Sequence, residues 1–477
     1  MNRLPSLRCC TRRTTVAGVL ALAALFPMHA ATAQRPKTGD PVAALDAAIA
    51  KGMKDWNAVG LAVAIVRNDS VLLAKGYGVR ELGRPTAVDA DTRFAIGSTT
   101  KAMTALALGM LVDEGKVRWD APVIEYLAQC FRDLGFSTEI IQSPGTTAAT
   151  SGNIKLNLIA TLGSGPGGLV LAGHTDTVPL DEALWSVNPF RLTEKDGKLY
   201  GLGSTDMKSF FPLVMEAVSA FQGMKLKQPL IVLATADEET SMQGARTIAE
   251  LGRPKARCAI IGEPTGMRPI HAHKGIMMES IDLLGQSGHS SNPALGHNAL
   301  EAMHSVIGEL IAFREDLQLR YHSPIFSIPR PTLNLGCIHG GDNPNRICGH
   351  CRLEFDIRLL PGMEIDAMRE EIRARVLPIA ARFNVAATLK PLFSGLPAFW
   401  TAPDNELVRT AERLTGNSAA SVAFGTEGPL LQKLGMDTII LGPGDIDQAH
   451  QPDEYLALDR VRPCIEVLKD LIRHYCL

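Results

Sequence analysis

The amino-acid sequence predicts an α/β protein on three observations. From about Glu125 to the last residue, β-rich apolar runs alternate with helical patterns, as strand and helix units do. Four of those runs lead into a histidine or a carboxylate: residues 169–173 into His174, 230–235 into Glu238 and Glu239, 258–261 into Glu263, and 438–441 through Gly442-Pro443-Gly444 to His450. The 477 residues, at about 150 per domain, suggest roughly three domains. With 46% hydrophobic and 21% charged residues, a mainly disordered or fibrous chain is excluded. Lys and Arg number 48 against 50 Asp and Glu, so no polyanion-binding surface is indicated and nucleic acid is not expected as a partner.

Residues 1–33 form a signal-peptide-like leader. Arg3, Arg8, Arg12 and Arg13 precede an apolar run over 16–26, and Ala31-Thr32-Ala33 supplies a small-x-small cleavage site. The run is too short to span a membrane, so no membrane segment is expected in the mature form. Arg12-Arg13 suggests twin-arginine export, and the plain alternative is a disordered basic terminus. Without the leader's four arginines the basic count is 44 against 50 acidic residues. Seven of the nine cysteines remain, an odd number at irregular spacing that is no disulfide framework. Cys348-Gly349-His350-Cys351 has dithiol spacing, but it opens an alternating run expected to be a strand rather than a helix start.

Residues 41–126 differ in pattern from the remainder of the chain and read helix, hairpin, helix. Runs over 60–66 and 70–77 are parted by Arg67-Asn68-Asp69, a hairpin turn, and a helical stretch from Ser98 to Val112 ends before Gly115. Ser98 and Lys101, three apart, would share a helix face, where an amine can activate a hydroxyl for acyl transfer; a Ser N-cap beside a surface Lys is the ordinary alternative. Phe94-Ala95-Ile96-Gly97-Ser98-Thr99-Thr100-Lys101, with Leu111-Val112-Asp113-Glu114-Gly115-Lys116-Val117, resembles the amino-terminal part of the serine β-lactamase and penicillin-binding esterase family. The resemblance covers some 85 residues and implies an incomplete fragment. No Tyr-x-Asn is found after it, and Lys37-Thr38-Gly39 lies upstream of the serine.

In the remaining segment the strand ends carry the chemistry. Ligands collect at the carboxyl ends of α/β strands, so four runs delivering imidazoles and carboxylates predict one site. Histidine and carboxylate without thiolate suit two zinc, cobalt or manganese ions, which a shared carboxylate can bridge at about 3.5–4 Å. Asp206, in Gly201-Leu202-Gly203-Ser204-Thr205-Asp206-Met207-Lys208, is expected to open a helix reaching about Phe221. Taken alone it reads as an N-cap. His174 and Asp176 have the spacing in which a carboxylate orients an imidazole. Of the adjacent Glu238 and Glu239, one can ligate while the other faces water.

His174-Thr175-Asp176-Thr177-Val178-Pro179, the Asp206 segment, Ala236-Asp237-Glu238-Glu239-Thr240 and Ile261-Gly262-Glu263-Pro264-Thr265 together resemble the dinuclear zinc aminoacylase and carboxypeptidase family. Lys274-Gly275, Gly288-His289-Ser290-Ser291 and the run from Gly442 to Tyr455 resemble its acetylornithine deacetylase group. The resemblance implies a mixed-sheet metallohydrolase catalytic domain over 127–273 and 394–477, with an inserted α+β dimerisation domain over 274–393. It implies two divalent ions, Zn or Co. Asp206 would bridge them, His174 and Glu263 would complete one shell, and Glu239 and His450 the other. Asp176 would hold His174, and Glu238 would be the general base.

The inserted unit has its own pattern: strands near 277–284 and 353–359, helices near 298–313 and 365–380. By resemblance, His289 would reach the partner's site in a homodimer and stabilise an oxyanion; its ordinary alternative is a turn histidine capped by Ser290 and Ser291. Asn345 and Arg346 would contact the substrate carboxylate. The small-molecule substrate implied is an N-acyl amino acid, N2-acetyl-L-ornithine, cleaved to L-ornithine and acetate in arginine biosynthesis. Serine hydrolysis through Ser98 and Lys101, or an inactive fusion, are the alternatives. Relatives begin with a helix and loop of roughly 35 residues before the helix that ends in Phe131-Arg132-Asp133-Leu134-Gly135-Phe136; here the β-lactamase-like fragment replaces them, joined near Val123 to Leu127, and should leave exposed strand edges. A working leader implies the periplasm, whereas the family implies the cytoplasm.

Overall fold

The computed structural model describes residues 41–67, 70–89, 92, 122–144 and 155–477. Contacts divide the chain into a first unit up to Met110 and a second from Leu111. The leader, Ser98, Lys101 and the helix expected after Ser98 lie outside the described residues. None of the described helices is long and apolar enough to cross a membrane.

In the first unit, helix Pro41–Asp55 precedes an antiparallel hairpin of Gly60–Arg67 and Ser70–Gly78, in register at Ala64 and Ala74. Asp46 of the helix accepts hydrogen bonds from Lys75 Nζ at 2.8 Å and Tyr77 Oη at 2.5 Å. Tyr77 and Val88 are the buried apolar side chains among its described residues, while Trp56, Val66, Val71 and Leu72 stand exposed. Among the described residues, one helix beside a two-stranded ribbon gives these apolar side chains few neighbours.

The second unit is built on a nine-stranded mixed sheet. Asp437–Ile440, Cys258–Ile261, Leu169–His174 and Leu230–Thr235 lie side by side and parallel at its centre. Lys155–Leu162 and Ser137–Ser143 extend one edge antiparallel, and Ile270–His273 with Phe399–Trp400 and Ala420–Val422 extends the other. Leu169–His174 and Leu230–Thr235 are buried along their whole length, which explains their continuous apolar runs: helices cover both faces. One face packs on Val123–Asp133, Phe210–Ser219, Glu406–Thr415 and Leu458–Cys476 around Phe131, Phe210 and Leu171. The other packs Val170, Leu233 and Ile261 with Ile248 and Leu431. Helix Val123–Asp133 is continuous through residues 126 and 127, where the sequence places the join between its two unlike segments.

Between Lys274 and Phe393 the chain forms an antiparallel four-stranded sheet, ordered Thr332–Gly340, His350–Leu359, Gly275–Leu284, Ala386–Pro391. Helices Ala299–Arg320 and Ile365–Arg382 pack on it. The first helix starts after Asn298, whose side chain accepts the amide hydrogen of Leu300 at 3.0 Å, and runs seven residues past the expected end. Its buried stripe of Met303, Val306, Leu310, Phe313 and Leu317 continues at helical spacing, so burial carries the helix on. Cys351 lies in a strand, and burial pushes its thiol up to about 11, opposite to what dithiol chemistry needs. All seven described cysteines are free, and only Cys130 and Cys337 are exposed.

Candidate metal centre

The four parallel strands point the same way, so the residues after them meet above one end of the sheet. His174 closes its strand; the turns after the others carry Glu238, Glu239, Glu263 and His450. Asp206 joins them from a different direction. It does not open a helix as expected: residues 201–209 are turns, and the helix begins at Phe210. The backbone N–H of Asp206 is given to the Glu454 carboxylate at 2.9 Å, which ties this turn to a remote acceptor.

Two ligand groups share Asp206. His174, Asp206 and Glu263 form one, Asp206, Glu239 and His450 the other, and within each the candidate ligand atoms lie within 4.8 Å of one another. Asp206 Oδ1 is 3.0 Å from His174 Nε2, and Oδ2 is 3.4 Å from His450 Nε2. Glu263 Oε1 stands 3.8 Å from His174 Nε2, and Glu239 Oε1 3.1 Å from His450 Nε2. The first group is buried throughout, whereas the His450 side chain is 51% exposed. His450 and Asp237, beside Glu238, adopt left-handed backbone at φ 60° and 69°, a strain that clusters at functional sites.

Asp176 reaches both His174 and the loop that carries the two glutamates. His174 Nδ1–H donates to its backbone carbonyl at 3.1 Å, and its nearer carboxylate oxygen is 3.6 Å from that nitrogen. The carboxylate oxygens also accept the backbone N–H of Glu238 at 3.2 Å and of Glu239 at 3.1 Å. One residue thus fixes the imidazole tautomer and clamps the loop carrying both glutamates. Asp237 anchors that loop from its other side through Lys155 Nζ at 2.6 Å and Thr240 Oγ1 at 2.8 Å.

The charge pattern suits divalent cations. Burial, then the neighbouring Asp206 carboxylate, pushes Glu263 and Glu239 above the usual carboxylate range. Glu238 is pushed well up by burial and by the carboxylates of Glu427, Glu239 and Asp206, against the pull of His174. Burial opposes a charge on His174, yet Asp176 and Asp206 hold its proton more tightly than usual. The hydrogen bond to Asp206 raises His450 to about 9. Asp206 goes the other way: burial would raise it, but both imidazoles lower it. Imidazole nitrogens and crowded carboxylate oxygens, with no thiolate among them, match the donor preference of such ions, and the surplus negative charge is what they would neutralise.

His289, Asn345 and Arg346 come together on the four-stranded unit, outside both ligand groups. His289 pairs with Arg346 as a β-bridge, and Asn345 accepts the N–H of Ser290 at 3.0 Å. Ser291 hydrogen-bonds His289 Nδ1 through its hydroxyl, at 2.8 Å, and its backbone N–H. Two carboxylates have no role assigned from sequence. Glu454 lies in the run resembling the deacetylases, but what it touches depends on a loop some 250 residues away. Glu427 is buried, neither oxygen has a hydrogen-bond partner of good geometry, and burial raises it to about 7; only its place before Gly428-Pro429 at a helix start marks it in sequence.

Comparison with known proteins agrees with this architecture. Residues 170–474 match the model of peptidase family M20/M25/M40, and residues 45–150 match the β-lactamase model. Among solved structures, the aminopeptidase PepT from Bacillus cereus superposes with a TM-score of 0.58 at 20% identity, over 74% of this chain and 92% of that one. Human carnosine dipeptidase 1 gives 0.53 at 18%, over 73% and 89%. A dinuclear metal-binding peptidase from Bacillus subtilis gives 0.53 at 15%, over 73% and 90%. At these identities the likeness is one of fold.

Proposed function

The chain belongs to peptidase family M20/M25/M40, a family of metal-dependent amide hydrolases, and from that premise we propose that it cleaves N2-acetyl-L-ornithine to L-ornithine and acetate. The observation that carries the hydrolytic reading is Asp206, whose two oxygens face two separate His and Glu pairs. The substrate rests on the run from Gly442 to Tyr455, with its resemblance to acetylornithine deacetylases.

Two divalent ions, zinc or cobalt, held by His174, Asp206 and Glu263 and by Asp206, Glu239 and His450, would polarise the amide carbonyl and acidify a water. Glu238 belongs to neither group and is held by Asp176 through its backbone. Its carboxylate takes the proton of the attacking water and returns it to the leaving nitrogen, a role its raised pKa suits. In a homodimer, the partner subunit's His289 donates to the developing oxyanion, and Asn345 and Arg346 receive the substrate carboxylate.

The test is deacetylation of N2-acetyl-L-ornithine by the purified protein with and without a chelator. Turnover lost to the chelator and restored by zinc or cobalt supports the proposal, and chelator-resistant turnover sinks it. The match of residues 45–150 favours a second reading, serine hydrolysis through Ser98 and Lys101. Covalent labelling by a β-lactam, lost in Ser98→Ala, would establish it.

A further inference from the structure

We infer that Glu454 is a positioning residue for the metal centre, locking the backbone that presents Asp206 to the loop that carries His450; this rests on the metal reading above.

Glu454 is 3% exposed and belongs to neither ligand group. Its Oε1 accepts the N–H of Thr205 at 2.7 Å and of Asp206 at 2.9 Å, and its Oε2 accepts that of Gly203 at 2.8 Å. Three backbone donors thus converge on one carboxylate, as in an anion nest. The same stretch binds the loop again: the Glu454 carbonyl accepts the Gly201 N–H at 3.0 Å and the Ser204 hydroxyl at 3.2 Å, and the Tyr455 carbonyl accepts Thr205 Oγ1 at 2.9 Å. Gly203, which gives its N–H to Glu454, has φ +79°, a left-handed backbone that favours glycine.

Asp206 must aim one oxygen at each ligand pair, and its side chain can hold that aim only if its backbone does not turn. The N–H groups of Gly203, Thr205 and Asp206 are donors of the turn before a helix, and Glu454 supplies the acceptor for all three, which ties down the backbone that presents Asp206. Because His450 lies four residues upstream of Glu454, the same short stretch supplies one ligand and fixes the backbone of the shared one. Groups that orient metal ligands in this way are worth about 10–100-fold in metal affinity or activity.

The experiment compares wild type with Glu454→Gln, an isosteric change that replaces one acceptor oxygen by an NH2 facing a backbone N–H. Metal content, zinc titration, the cobalt(II) absorption spectrum and steady-state kinetics are measured on both. The expected result for the variant is unchanged far-ultraviolet dichroism and one ion bound about 10–100-fold more weakly, with a shifted cobalt spectrum. kcat should fall by about the same factor while KM stays within about threefold. A variant that binds two ions with wild-type affinity, spectrum and kcat overturns the inference. Wild type that fails to bind two ions overturns the functional reading instead. Hydrogen exchange on metal-free wild type gives an answer that does not depend on the variant's folding: the amides of Gly203, Thr205 and Asp206 should be protected before metal is added, and free exchange there overturns the clamp.

Discussion

Strands Ser70–Gly78 and Leu169–His174 are both rich in valine, leucine and alanine, yet they meet opposite fates. Val71 is 64% exposed in the first, while every residue of the second is buried. The difference lies in neighbours. Leu169–His174 has a parallel strand on each edge and a helix layer on each face, whereas among the described residues the hairpin strand meets one strand and one helix. β-propensity makes a strand in either place, but only a covered sheet turns apolar residues into stability and holds side chains still enough to form a site.

Chemistry should separate the two regions most. Glu238→Gln is expected to lower kcat by about 10²–10⁴ with both ions still bound, measured by steady-state assay and metal analysis. Loss of metal in that variant would mean that Glu238 and Glu239 have exchanged roles. Packing should separate them next. Leu171→Ala, at a fully buried position, is expected to cost about 2–5 kcal/mol in denaturant unfolding. A cost no larger than that of Val71→Ala would break the comparison.

Metal binding should depend on pH. In the metal-free protein His450, at about 9, and His174, also raised, carry protons at neutral pH that must leave when an ion binds. Affinity is therefore expected to strengthen as pH rises towards about 9, and to weaken below that by about tenfold per unit for each proton displaced, as calorimetry in two buffers would show. The smallest effect belongs to the hairpin: Val71→Ala should change unfolding free energy by less than about 0.5 kcal/mol. A larger cost would show that the exposed strand face is covered in solution.

The same contrast decides how much of the molecule is legible in its sequence. The central strands are readable because full burial demands unbroken apolar runs, and a histidine or glutamate after such a run stands out. Asp206 is readable as a candidate ligand, but its turn is not, since the acceptor holding it lies 248 residues away and leaves no local trace. Asp176 reads as an orienting residue, but its second hold, on the amides of Glu238 and Glu239, joins segments some 62 residues apart and leaves no local trace. The hairpin's strands are legible, and their exposure reflects a ribbon that meets only one helix among the described residues.

The seven described cysteines give the molecule a built-in gauge of its own integrity. Cys130 and Cys337 are open to a thiol reagent, and the other five are buried; burial pushes Cys258, Cys464 and Cys476 up to about 12. A buried thiol reacts only when its surroundings open, so the slow labelling of those five times that event. Cys348 and Cys351 belong to the four-stranded unit, and Cys258, Cys464 and Cys476 to the nine-stranded sheet and its helices. Labelling rates resolved by residue therefore report whether the two halves of the second unit come apart together or in turn.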